Sequence, residues 1–325
     1  LGLYWAVGSN MTIAPSQRLT DGAGYCVAHQ QMFGIAVFSW LAKVLFGGKK
    51  GGKTKKIEDV KLPGFMSIFN ENMVATTLIM TLFFGVILIA LGSDYLHEKK
   101  LMGPNDNYFF FIMITAMKFS VWLAVLQLGV KTFVAELTES FQGISNKWLP
   151  GAVPGVDCAA VYGFGSQNAI TIGFVMGAIG QFIGLAVLLL VGSPVVVIAG
   201  FIPMFFDNAT IALYANRHGG YKAAFVLPLI SGICQIFGTA FIVHWAVIAY
   251  NGMHVGLETG YLGMWDWAVI WPGFTWLMHN FAYIGFAVVV AILILLPQLE
   301  YRRNPKGYFL IVDDYEEYKR QFPEN

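Results

Sequence analysis

The chain has 325 residues, 57% of them hydrophobic and only 12% charged, and its net charge is +1. A soluble domain carries roughly 25% charged residues, so this composition points to a polytopic membrane protein. The near-zero net charge offers no global field for nucleic acid, and three scattered cysteines, Cys26, Cys158 and Cys234, match no metal-ligand or disulfide spacing.

The opening stretch LGLYWAV begins inside an apolar run and not at a methionine. It has no basic n-region followed by a cleavage site, so it is not a signal peptide; the chain is expected to be the C-terminal part of a longer protein. Residues 10–34, NMTIAPSQRLTDGAGYCVAHQQMFG, mix Gly, Pro and hydrogen-bonding side chains beside apolar spans. Irregular backbone at membrane depth is tolerated only when it is buried in protein or lines a cavity, and transporters place such broken segments at their solute site. Within it, His29-Gln30-Gln31 sets several donors and acceptors side by side, which reads either as a ligand group or as an ordinary polar loop. Seven lysines follow between Lys43 and Lys61. Their Lys/Gly stretch 47–56 is a solvated loop or a dock for a soluble partner or anionic lipid.

A membrane-spanning helix needs about 20 apolar residues. Met73–Ser93 qualifies, and Tyr108–Val130 qualifies apart from Lys118 near its middle. Lys118 lies too deep to snorkel easily, so a partner inside the bundle is expected for it. In VKTFVAELTESFQGISNKW, Val134, Leu137, Phe141 and Ile144 recur at helical spacing, which predicts an amphipathic helix on the surface or against the bundle. Residues 150–173, PGAVPGVDCAAVYGFGSQNAITIG, come next. Pro150, Pro154 and the glycines argue against one continuous helix, so a re-entrant hairpin is expected. Its one acid, Asp157, either caps a helix beginning at Cys158 or binds a ligand or proton, as an acid buried at membrane depth commonly does; the two roles can coexist.

Ala169–Phe206 is 38 residues without a charge, enough for two spans broken at Gly192-Ser193-Pro194. ANRHGGYK, with His218, reads as loop, Ala223–Val243 as a span, and Val269–Pro297 as the last one, with His244 and His279 near span ends. Six spans put the lysine-rich stretch and the basic tail after Glu300 on one side, where the short loops hold Lys131, Lys147, Arg217 and Lys222. Opposite loops hold only Lys99 and Lys100, and residues 244–268 carry no Lys or Arg. The positive-inside rule therefore assigns the basic side to the cytoplasm. The tail is polar and too short for a catalytic domain. No phosphate-binding loop, zinc-protease motif or nucleophile elbow is present, which disfavours an intramembrane enzyme. The residues alone thus describe an all-α polytopic membrane transporter for a polar solute.

Longer runs carry more. LYWAVGSNMTIAPSQRLTDGAGYCVAHQQMFG, KLPGFMSIFNENMVATTLIMTLFFG, GVKTFVAELTESFQGIS, PGAVPGVDCAA and GFIPMFFDNATIALYANRHGG occur in order from Leu1 to about His218. They resemble the ascorbate-specific IIC component of the bacterial phosphotransferase system, with weaker similarity to about residue 297. The resemblance implies an inverted-repeat transporter with a re-entrant hairpin and amphipathic helices. It implies about six to seven spans here, with most of the first repeat lying outside this chain. Residues 1–297 would form the permease region and 298–325 a cytoplasmic tail.

The resemblance further implies a homodimer in the bacterial inner membrane that moves L-ascorbate. A IIB component, phosphorylated through IIA, would pass the phosphoryl group to the solute. IIC itself would be neither phosphorylated nor catalytic, and no cofactor or metal is implied. By the same resemblance His29 and Gln30 of the HQQ run and Asp157 of the DCAA run contact substrate. One departure is YGFGSQNA, with Ser166-Gln167 where the family has one Pro; Lys118 is another. The alternative drawn from the residues alone is an ion-coupled symporter of a polar sugar or sugar acid, in which Asp157 titrates.

Overall fold

The computed structural model describes residues 1–47, 54–60, 72–149, 152–197, 200–249, 263–303, 305 and 312–321. Most of the Lys/Gly stretch, much of the cation-free segment 244–268 and parts of the tail lie outside the described residues. The elements in order are α1 (Gly2–Thr20), β1 (Cys26–Val27), α2 (Met32–Leu41, prolonged by a π-turn to Phe46), α3 (Asn72–Leu91) and α4 (Ser93–Glu98). Then come α5 (Tyr108–Trp148), β2 (Gly155–Val156), a 3-10 segment Cys158–Gly163, α6 (Gln167–Leu190) and α7 (Phe201–Ala249). A π-turn Asp266–Ile270 leads into α8 (Trp271–Arg303), and α9 is Val312–Gln321. Among the described residues five helices are long and apolar enough to cross a membrane, so the chain is an all-α polytopic membrane protein.

Several boundaries differ from the sequence expectation, each for a local reason. α1 runs through Pro15 and takes in Thr12, Ser16 and Gln17. These polar residues are fully buried because they bond to the chain folding back on them: Thr12 Oγ1 donates to the Val27 carbonyl at 2.7 Å, and Gln17 Nε2 to that of Tyr25 at 2.7 Å. The irregular part shrinks to the connection after α1, where Asp21 closes the helix in the left-handed region at φ 52°. The segment expected as a separate amphipathic helix instead continues α5. Val134 is buried there, whereas Phe141 and Ile144 stay exposed. Lys118 lies on the outer face of α5 beside exposed Met117, not inside the bundle as expected.

The largest shift concerns α7. Its backbone departs from helix at Gly220 (φ 76°). Asp207 and Asn208 before that point both bond to Gln235 after it. A straight helix would hold residues 28 positions apart about 42 Å from each other, so α7 is two antiparallel limbs joined by a tight reversal at Gly219-Gly220. The reading of ANRHGGYK as a connection holds, but the first limb begins at Phe201 and not after Pro194.

Hydrophobic burial gives little drive between helices in lipid; close packing and hydrogen bonds do more. α6 packs on both limbs of α7 through Gly173, Gly177, Gly180 and Gly184. A side chain at Gly177 would overlap Asn208, and one at Gly180 would overlap the Leu229 carbonyl. Buried amides cross the seam: Gln181 Nε2 donates to Gln235 Oε1 at 2.9 Å, and Gln235 Nε2 to Asp207 Oδ2 at 2.6 Å. Thr76 with Thr171 (3.1 Å) and Thr77 with Ser120 (2.8 Å) tie α3 to its neighbours. An aromatic group fills the space between α5, α6 and α7: Phe119 stacks on Phe174 at 5.6 Å, and Phe205 meets both edge-on. Such pairs add about 0.5–1.5 kcal/mol each. α9 does not hang free, since Tyr315 is buried against Ile13 and Cys26.

Candidate functional site

The site forms where two irregular segments meet. β1 and β2 pair in parallel, Cys26 opposite Gly155 and Val27 opposite Val156. Cys26 N–H donates to the Pro154 carbonyl and Ala28 N–H to that of Val156, both at 2.9 Å. This short ladder satisfies backbone groups that a broken helix would leave bare. Gly155 is required at the crossing, because a Cβ there would sit 2.6 Å from that of Ala28. Thr12 and Gln17 hold β1 from the other side, with Thr12 Oγ1 also accepting the Val27 N–H at 3.1 Å.

The pairing register brings His29 to Asp157, residues 128 positions apart. His29 Nε2 lies 3.4 Å from Asp157 Oδ2. Asp157 also caps the 3-10 segment, its Oδ1 accepting the Ala159 N–H at 2.8 Å. One oxygen serves the fold and the other faces the imidazole. The acid is not buried as the sequence suggested: its side chain is 61% exposed, against 21% for His29. Burial lowers the His29 pKa below the usual imidazole value, and the Asp157 charge opposes that shift, so the ring is neutral at pH 7. Among the described residues His29 Nδ1 is buried without a hydrogen-bond partner. An unsatisfied polar atom of this kind calls for an explanation such as a ligand.

Gln30 is partly buried beside His29, and its carbonyl accepts the Asp266 N–H at 3.0 Å. Gln31 turns inward and is fully buried, with Nε2 3.4 Å from both the Phe206 carbonyl and Thr210 Oγ1. Tyr162 joins them: its hydroxyl donates to the Phe206 carbonyl at 3.1 Å and accepts from Thr210 at 3.3 Å. Asp207 and Asp266 do not stand out in the sequence: Asp207 ends an uncharged run, and Asp266 falls in a segment that reads as a connecting loop. The only available signal was the presence of each acid beside a long apolar segment.

Cys158 completes a group with His29 and Asp157 whose candidate ligand atoms lie within 4.8 Å of one another. The cysteines are scattered in sequence, so only the fold creates this group. Its contacts have a simpler account: the Cys158 thiol donates to Asp157 Oδ1 at 3.6 Å, and that same oxygen takes the Ala159 N–H.

The side chains gathered here have the hydrogen-bonding chemistry of a polar site. Asp157 Oδ2 accepts hydroxyl protons, and the neutral imidazole and the Gln30 amide can donate to oxygens. Residues 1–272 match the family described as the PTS system sugar-specific permease component. The chain is also 35% identical over 275 residues to the ascorbate-specific PTS system EIIC component of Mycoplasma pneumoniae, an alignment covering 77% of this chain and 41% of that protein. The chain thus spans less than half the length of that curated relative. Five apolar helices and a polar site at paired helix breaks agree with that match, and the chain belongs to the sugar-specific permease family of the phosphotransferase system.

Proposed function

We propose that the protein of which this chain is part carries L-ascorbate across the bacterial inner membrane, and that a phosphorylated IIB component, itself charged by IIA, phosphorylates the solute on arrival. The observation that carries this reading is the approach of His29 to Asp157 across the paired segments, together with the ascorbate specificity of the Mycoplasma pneumoniae relative. Ascorbate is an anion at neutral pH with several hydroxyls. A carboxylate accepts only from donors, so Asp157 takes the hydroxyl-bearing part. His29 and Gln30 donate to the enolate and lactone oxygens. The first turn of α2 would otherwise favour the anionic end, but Asp266 occupies it, since Asp266 Oδ2 and Oδ1 accept the Phe33 and Gly34 N–H groups at 3.1 and 3.0 Å. Side-chain donors must therefore serve the anion.

In this reading the chain moves solute and carries no phosphoryl group. It works as a homodimer in a lipid bilayer, with residues 1–297 as permease region and the tail from residue 298 in the cytoplasm, as the lysine and arginine distribution supports. The test is uptake of labelled ascorbate by cells expressing the full-length protein with and without the phosphorelay proteins. Uptake should need the relay and deliver a phosphorylated product. Accumulation of free ascorbate that follows a proton or sodium gradient would instead establish an ion-coupled symporter.

A further inference from the structure

We propose that Asp266 is the positioning residue of this site: it fixes the His29–Gln31 turn from the start of the last long helix without touching the solute. The inference rests on the assignment of His29 and Gln30 to substrate. The N-terminal N–H groups of a helix need partners, and a local side chain usually supplies one. α2 lacks that device, because the side chain of its N-cap residue, Gln31, makes no capping bond. A carboxylate more than 230 positions away does the work. Asp266 is fully buried, and its two oxygens take the Phe33 and Gly34 N–H groups at 3.1 and 3.0 Å. Its own N–H donates to the Gln30 carbonyl at 3.0 Å. The residue thus grips the turn in both directions, and the helix N-terminus favours its charge.

Neighbouring contacts make the grip specific. Trp265 is buried and meets Phe38 of α2 edge-on at 5.4 Å. A Cβ at Gly34 would lie 2.8 Å from the Trp265 ring, so only glycine lets residues 265 and 266 reach α2 together. Behind them a side chain at Gly238 of α7 would overlap the Ala268 carbonyl, so the segment is wedged between α2 and α7. Gln31 is held from the α7 side by Phe206 and Thr210. His29 and Gln30 therefore sit on a turn whose C-terminal side is set by a distant element.

Two variants of the full-length protein in detergent test this. Asp266→Asn keeps one acceptor oxygen of two, and Gly34→Ala keeps both but pushes Trp265 away. Leu188→Ala, in a core cluster with Ile236, is the control that loses stability without touching the turn. Amide exchange read by mass spectrometry should become about tenfold faster for Phe33 and Gly34 in Asp266→Asn. Ascorbate affinity should weaken by about tenfold in both variants with the number of sites unchanged, whereas Leu188→Ala should melt earlier and bind normally. Unchanged exchange at Phe33 and Gly34 overturns the proposal, as does an equal loss of affinity in Leu188→Ala. If the unaltered protein fails to bind ascorbate, the solute assignment falls, and the exchange measurement still decides whether Asp266 anchors the turn.

Discussion

The two carboxylate oxygens of Asp157 divide the alternatives that the sequence left open. Oδ1 caps the 3-10 segment and Oδ2 faces His29, so the capping role and the site geometry coexist in one residue. Asp157→Asn keeps a capping oxygen while it replaces the hydroxyl acceptor. It should therefore leave membrane insertion intact and weaken ascorbate binding, by roughly 1–3 kcal/mol or about 5- to 150-fold. His29→Ala should do the same. Titration of both full-length variants with ascorbate is the measurement, and normal affinity in both would move the site elsewhere. His29 also implies a pH dependence. Burial lowers its pKa, so the ring charges only below the usual imidazole value of about 6.5. Once charged it pairs with Asp157 and removes the hydroxyl acceptor. Affinity should thus be level above about pH 7 and decline as the pH falls below about 6.5, and His29→Gln should abolish the decline. A decline that persists in His29→Gln would assign the titrating group to another residue.

Among the elements, long apolar helices were readable from composition, and so was the start of α3, expected at Met73 and found at Asn72; other ends were not. The uncharged run Ala169–Phe206 stops at Asp207, which makes that acid read as a boundary, whereas tertiary contacts with Gln235 make Asp207 and Asn208 interior residues of α7. The same cause hid the helical state of Thr12 and Gln17. Polar residues are readable as helix only when their partners are known, and those partners lie on other elements. The glycines of α6 illustrate the reverse case, a pattern visible in sequence whose purpose is tertiary. A side chain at Gly180 would overlap the Leu229 backbone. Gly180→Leu should separate α6 from α7, break the Gln181–Gln235 contact and destabilise the folded protein by several kcal/mol. The check is its melting temperature in detergent beside Gly192→Leu; Gly192 ends α6 with open space around the position of a Cβ, although its φ of 63° adds strain of its own. Equal losses in the two variants would show that close packing at Gly180 is not what holds the seam.

For the molecule as a whole, the family rested on motifs that survive as linear runs, and the match over residues 1–272 agrees with it. His29 and Asp157 could be named as separate candidates for the same reason. Their meeting could not be read, because it depends on a two-residue parallel ladder between segments 129 positions apart. Asp266 was still less visible, since its role is to satisfy N–H groups that belong to another helix. The sequence by itself determined that the chain is helical, apolar and membrane-bound, because lipid admits few other ways to satisfy a backbone. Only the tertiary structure decided which polar residues cap, which glue helices together and which meet at the paired segments. Each of those roles is defined by a partner that chain order does not reveal.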